Sequence, residues 1–172
     1  MNDLTIMPLG MVDTSLLSEL SISMQKFTAA NISIGGAAEI PAYAYDRSRS
    51  QYLSTMILER IKASSKPYAY VLAVTGLDLF VPQVNFVFGE AEVGGRVAII
   101  STSRLRAGPG EENNIVFFER TRKEAFHELG HVAGLTHCAE ASCVMHFSQT
   151  LADTDFKSDS LCPACHSRRR EL

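Results

Sequence analysis

The stretch His127-Glu128-Leu129-Gly130-His131-Val132-Ala133-Gly134-Leu135-Thr136-His137 places three histidines, a glutamate and a late glycine at fixed offsets. Residues four apart on an α-helix lie about 40° apart around its axis. His127 and His131 therefore leave one face and can share a metal ion. Glu128, one residue past the first histidine, sits beside that ion and can reach a water in an open coordination position. His137 follows six residues after His131, where a straight helix would point it away. Gly134 supplies the turn, because glycine enters the left-handed conformation without a Cβ penalty and commonly ends a helix. A catalytic zinc takes three protein ligands and keeps a fourth position for water. His127, His131 and His137 form that cage. The bland alternative is histidines that cap or fill a core, but three at ligand spacing are not lone histidines.

Working outward, Cys138, Cys143, Cys162 and Cys165 are all the cysteines in the chain. Two close pairs separated by eighteen residues match a four-thiolate structural zinc site. Two disulfides are the first alternative, and a redox Cys162-x-x-Cys165 the second. Met1-Asn2-Asp3-Leu4 has neither the basic start nor the apolar core of a signal peptide. A cytoplasmic location follows as the expectation, and there paired cysteines more often bind metal. Two zinc ions per chain are expected, one catalytic and one structural. From Cys138 to Leu172 large apolar residues are few, so a metal clasp would contribute directly to folding.

The His-Glu-x-x-His-x-x-Gly-x-x-His signature with a later methionine resembles that of the metzincin zinc peptidases. Met145 would be the Met-turn residue beneath the metal. The cysteine straight after the third histidine, with the other three beyond it, resembles the archaemetzincin family specifically. The resemblance implies a catalytic zinc on His127, His131 and His137, Glu128 as general base, and a second zinc on Cys138, Cys143, Cys162 and Cys165. It also implies an active-site helix behind the sheet and a substrate aligned along an edge strand, here Phe86 to Ala91. Some metzincins carry a tyrosine two residues after the methionine, where this sequence has Phe147.

At 172 residues and 46% hydrophobic, the chain suits one compact catalytic domain. Residues 1–134 would form a subdomain with the sheet and the active-site helix. Residues 135–172 would form a smaller one with the Met-turn and the cysteines. Strands are predicted at residues 3–9, around Ile32 and Ile34, and at Tyr70–Val74, the last a continuous apolar run typical of a buried strand. Two more, Asn85–Ala91 and Arg96–Ser101, flank Gly94-Gly95 as a hairpin. Helices are predicted after Asp13 as N-cap, from Gln51 to Ala63, and from Glu111 to Ala133, with Ile115, Phe118, Ala125, Phe126, Leu129 and Val132 as the inward stripe of the last. The order implies an α/β (α+β) fold: a metzincin-like mixed, mostly parallel sheet with an antiparallel edge strand and packed helices. Asp78 is given no role, and Arg168-Arg169-Arg170 reads as a solvated run.

The sequence thus points to a zinc-dependent metallopeptidase that hydrolyses peptide bonds with a zinc-activated water. The rival is a non-catalytic zinc-stabilised module that binds a peptide or partner; the presence of Glu128 tilts against it. A net charge of −3 gives no reason to expect nucleic acid, and no apolar run reaches the roughly 18 residues of a membrane span. The expected partner is a peptide or protein substrate, and the expected state a monomer.

Overall fold

A computed structural model describes residues 2–67, 69–106 and 114–172. The chain runs through β1 (Asp3–Leu9), α1 (Thr14–Met24), β2 (Asn31–Ile34), β3 (Tyr45–Asp46), β4 (Gln51–Leu53), α2 (Ser54–Ser64), β5 (Tyr70–Thr75), β6 (Leu79–Phe80), β7 (Gly89–Ala91), β8 (Val97–Ser101), α3 (Asn114–Val132), α4 (Leu151–Phe156) and α5 (Pro163–Arg168). The main sheet has the order β2-β1-β5-β8-β7. Its first four strands are parallel and β7 alone is antiparallel, at the edge. The mixed, mostly parallel architecture is the one expected.

Alternation explains why β5 and β8 read as unbroken apolar runs. Leu72, Val74, Ala98 and Ile100 point to one face, where they pack with Leu16, Leu17, Leu20 and Met24 of α1 and Ala125, Leu129 and Val132 of α3. Val71, Ala73, Val97 and Ile99 point to the other, against Ile57, Leu58 and Ile61 of α2. A parallel sheet covered on both faces needs apolar side chains at every position.

Two boundaries differ from expectation. Gln51–Leu53 is a strand, not a first helical turn, and joins a small second sheet of order β3-β4-β6. Cross-strand pairing of Tyr52 with Tyr45, ring centroids 4.9 Å apart, overrides helical periodicity there. The expected edge strand begins at Gly89, and Val87 instead bridges Leu79. The start of the long helix at Glu111 lies outside the described residues. Ile115 is 69% exposed, so the inward stripe begins at Phe117. Among the described residues no helix is long and apolar enough to cross a membrane.

The Arg168-Arg169-Arg170 run is solvated in part, with Arg168 and Arg170 exposed and Arg169 half-buried, but Arg169 and Arg170 also bond to the body of the fold. The Arg170 N–H donates to Ala133 O at 2.9 Å, and its guanidinium to Val132 O at 3.2 Å. Arg169 donates to Phe27 O, and Leu172 O accepts from buried Thr28. The last carbonyls of α3 have no partner within the helix. The tail satisfies the last of them, Val132 O, and the adjoining Ala133 O, and the β7–β8 turn takes another through Gly94 N–H to His131 O at 2.8 Å.

Candidate metal centre and its cavity

α3 ends where its sequence says it should. Gly134 has φ +89°, Gly134 N–H donates to His131 O, and Leu135 N–H donates to Gly130 O. This double closure is the Schellman arrangement. It reverses the chain, so His137 comes back against the face bearing His127 and His131.

The three rings converge. Their centroids are 4.7 Å apart for His127 and His131, 4.9 Å for His131 and His137, and 5.3 Å for His127 and His137. One nitrogen from each lies within 4.8 Å of the others. The outer nitrogens fix the orientation: His127 Nδ1 meets Val144 O at 2.7 Å, and His131 Nδ1 meets Leu135 O at 2.8 Å. A ring that donates from Nδ1 to a carbonyl leaves Nε2 as a bare lone pair, the tautomer a metal needs. The two Nε2 atoms stand 3.1 Å apart. Two nitrogens at about 2.0 Å from one tetrahedral zinc would stand roughly 3.3 Å apart. The donors therefore fit a zinc ion.

Electrostatics agree. Burial, then the nearby Lys157 charge, holds the pKa of His127 well below the ordinary 6.5. Burial also lowers His131 and His137. The imidazoles stay neutral and available. Burial pushes Glu128 in the other direction, well above the ordinary carboxylate value, with the charge of Glu124 adding to it and that of Lys157 opposing. Its Oε2 is buried without a hydrogen-bond partner.

Two glycines make the packing possible, and sequence reasoning passed over both. A Cβ on Gly89 would stand 2.7 Å from Glu128 Cγ and Oε1, so edge strand and carboxylate meet directly. A Cβ on Gly130 would collide with the sulfur of Met145, which is fully buried against this face of α3. A glycine inside a strand pattern signals close backbone approach, and Gly89 carried that signal.

The four cysteine sulfurs likewise lie within 4.8 Å of one another, and all four are free thiols. No disulfide joins any of them. Cys138 and Cys162 Sγ are 3.8 Å apart. A tetrahedron of zinc–sulfur bonds about 2.3 Å long has edges of roughly 3.8 Å. The Cys165 N–H, donating to Cys162, brings that thiol down to about 7, whereas burial pushes Cys165 up to about 12. Cys138 N–H donates to Met145 O at 3.0 Å, tying the residue after His137 to the methionine that packs on Gly130.

A cavity of about 560 Å³ opens on the histidines and Glu128. Residues 83–91, including β7, line one side; Glu124 and residues 147–149 line the other. Phe147 packs on His137, ring centroids 4.8 Å apart. Behind the second wall, the fully buried Lys157 ammonium meets Glu124 at 3.0 Å, and Thr154 donates to the same carboxylate. Nothing in the sequence marked this pair, because a lysine in an acidic surface-like stretch gives no sign of burial. His146 supports, with Nδ1 3.1 Å from Cys138 O, and His166 is exposed.

Residues 37–171 match the family model described as Peptidase family M54. The chain belongs to this family, the archaemetzincins. The archaemetzincin of Archaeoglobus fulgidus is 40% identical over 165 residues, covering 96% of this chain and 97% of that one. That of Pyrococcus furiosus is 39% identical, covering 96% and 91%. Among solved structures, the Archaeoglobus fulgidus archaemetzincin complexed with malonate superposes with a TM-score of 0.86 at 38% identity, covering 96% of this chain and 99% of that one. The family is one of zinc metallopeptidases, and the chain is a hydrolase of that class acting on peptides or proteins.

Two outcomes follow from the packing. Gly89→Ala sets a Cβ 2.7 Å from both Glu128 and Ile99 O of β8, so it should displace the carboxylate and the edge strand and lower peptidase turnover about tenfold or more, with metal content unchanged in elemental analysis. Unchanged turnover would mean the contact does not position Glu128. The depressed histidines set a pH dependence. As pH falls through about 6.5, the unfolded chain takes up protons that folded His127, His131 and His137 resist. Stability of the metal-free protein should therefore be lost as pH drops below that value, measured as a falling urea midpoint, with metal retention falling alongside.

Proposed function

We propose that this archaemetzincin cleaves peptide bonds at the histidine cage with Glu128 as general base. His127, His131 and His137 would hold one zinc ion, and Cys138, Cys143, Cys162 and Cys165 a second, structural one. The observation that carries the reading is Glu128: a buried carboxylate with one oxygen unpartnered, one residue from the first imidazole and open to the cavity. A structural carboxylate in such a place would be paired. A zinc ion in the cage would supply Lewis acidity, polarising the scissile carbonyl and making a neighbouring water acidic.

The chain's own residues do the rest. Glu128 accepts the proton of the attacking water and hands it to the leaving amine. Its raised proton affinity suits a group that must take a proton and release it within one turnover. Edge strand β7 presents backbone donors and acceptors to an extended peptide, which gains hydrogen bonds regardless of its sequence. Phe147 has no hydroxyl to offer. Ser148 Oγ, buried without a partner in the same wall, is the side-chain donor left for the reacting carbonyl oxygen. Residues 1–134 and 135–172 act as two subdomains of one catalytic domain, the first contributing His127, Glu128 and His131, the second His137 and Met145.

Glu128→Gln should retain its metal and lose at least about a hundredfold in turnover of a peptide library. Turnover at the wild-type rate would remove Glu128 from the base role. A wild-type protein that binds peptides and leaves them uncut would favour the non-catalytic module, which uses the same ligands.

A further inference from the structure

The upper wall of the cavity, residues 83–88, is a connection between β6 and β7 rather than regular structure. Its own backbone holds it sparsely: Val87 N–H donates to Leu79 O at 2.9 Å and Val84 N–H to Val81 O at 3.2 Å. Carbonyls in such a segment need donors from elsewhere. Phe88 O takes Ser101 N–H of β8 at 2.7 Å, and the donors for Val84 O and Asn85 O come from the β3–β4 hairpin. Arg49 Nη2 donates to Val84 O at 2.9 Å and Asn85 O at 3.0 Å, and Gln51 Nε2 donates to Asn85 O at 2.9 Å.

Gln51 is the centre of this arrangement. It is 5% exposed. Its amide nitrogen also donates to Asp78 Oδ2 at 3.0 Å, and its amide oxygen accepts from Arg49 Nε at 3.0 Å. Both amide hydrogens and the amide oxygen are therefore engaged. Asp78 is held in turn by both arms of Arg104, each at 2.7 Å, and the Arg104 guanidinium lies over the Phe86 ring of the same wall, 4.4 Å from its centroid. Arg49 stacks on Phe80, 4.3 Å from the centroid, at the point where the connection leaves β6. Bidentate and stacked guanidinium contacts are directional, and they fix geometry more than they add stability.

We infer that Gln51, with Arg49, Asp78 and Arg104 behind it, is a positioning residue that sets the upper lip of the cavity for extended polypeptides. The inference rests on the peptidase reading and deepens it by naming the substrate class. The lip is continuous in sequence with β7. A peptide long enough to run along β7 and onward over Val84–Phe86 uses the lip, whereas a dipeptide confined to the cage does not. None of these four residues lines the cavity, so their effect passes through the wall they hold.

The test compares wild type with Gln51→Glu and Arg49→Ala on a mixed-sequence library of decapeptides and on dipeptide amides. Gln51→Glu replaces the donor facing Asp78 and Asn85 O with an acceptor of the same shape. Arg49→Ala removes the lip donors from a partly exposed position, so it serves where the buried substitution disturbs folding. The expected result is a KM for decapeptides raised about tenfold in both variants, with kcat, metal content and dipeptide cleavage unchanged. Decapeptide affinity for Glu128→Gln should fall by the same factor when Gln51→Glu is added, a readout independent of turnover. An unchanged KM and affinity, or equal losses for decapeptides and dipeptides, would overturn the inference while leaving the peptidase reading intact. If wild type cleaves no peptide and Glu128→Gln binds none, the peptidase reading fails and takes the inference with it.

Discussion

Three imidazoles can share one centre only if something other than the helix aims them. Within α3, four-residue spacing brings His127 and His131 to one face but leaves each ring free to rotate. The aim comes from carbonyls of the chain that follows: Leu135 O, delivered by the reversal at Gly134, and Val144 O, one residue before Met145. The same reversal carries in His137. Each ring that donates outward has its inner nitrogen bare, and burial keeps the rings neutral. The cage therefore depends on how the segment after α3 folds back over the helix end.

Much of the rest of the molecule secures that fold-back. The last carbonyls of α3 are taken by Gly94 at the β7–β8 turn and by Arg170. The returning segment is also tied to itself, with the Cys138 backbone N–H donating to Met145 O, and the four cysteines gather there. On the far side, the buried Glu124–Lys157 pair ties α3 to the residue following α4, and Lys157 also reaches towards His146 O at 3.5 Å. Such a pair adds little net stability over an apolar one, but stranding either charge costs about 3–5 kcal/mol. Edge strand, tail and cysteine cluster thus converge on the end of α3, and the ion pair holds the helix two turns earlier.

This explains what could be read from the sequence. The helix, its stop at Gly134 and the ligand set are local, short-range patterns, and His127, His131, His137 and the four cysteines come together as their spacing implied. The parallel sheet was legible because strands covered on both faces show unbroken apolar runs. What could not be read depends on distant partners. Gln51 looks like the first turn of a helix until Tyr45 and Leu79 pair beside it. Lys157 looks like a surface lysine until Glu124 arrives from thirty-odd residues upstream. Arg170 looks unpartnered until the end of α3 presents its carbonyls. Gly89 and Gly130 are intelligible only once Glu128 and Met145 are seen against them.

The most direct test of this account is zinc stoichiometry by native mass spectrometry on freshly purified protein, wild type beside His131→Ala. Two separable centres predict two zinc ions per chain falling to one, with the thiolate site still filled. One zinc in both proteins, or loss of both ions together, would contradict the account of a histidine cage that binds metal in its own right.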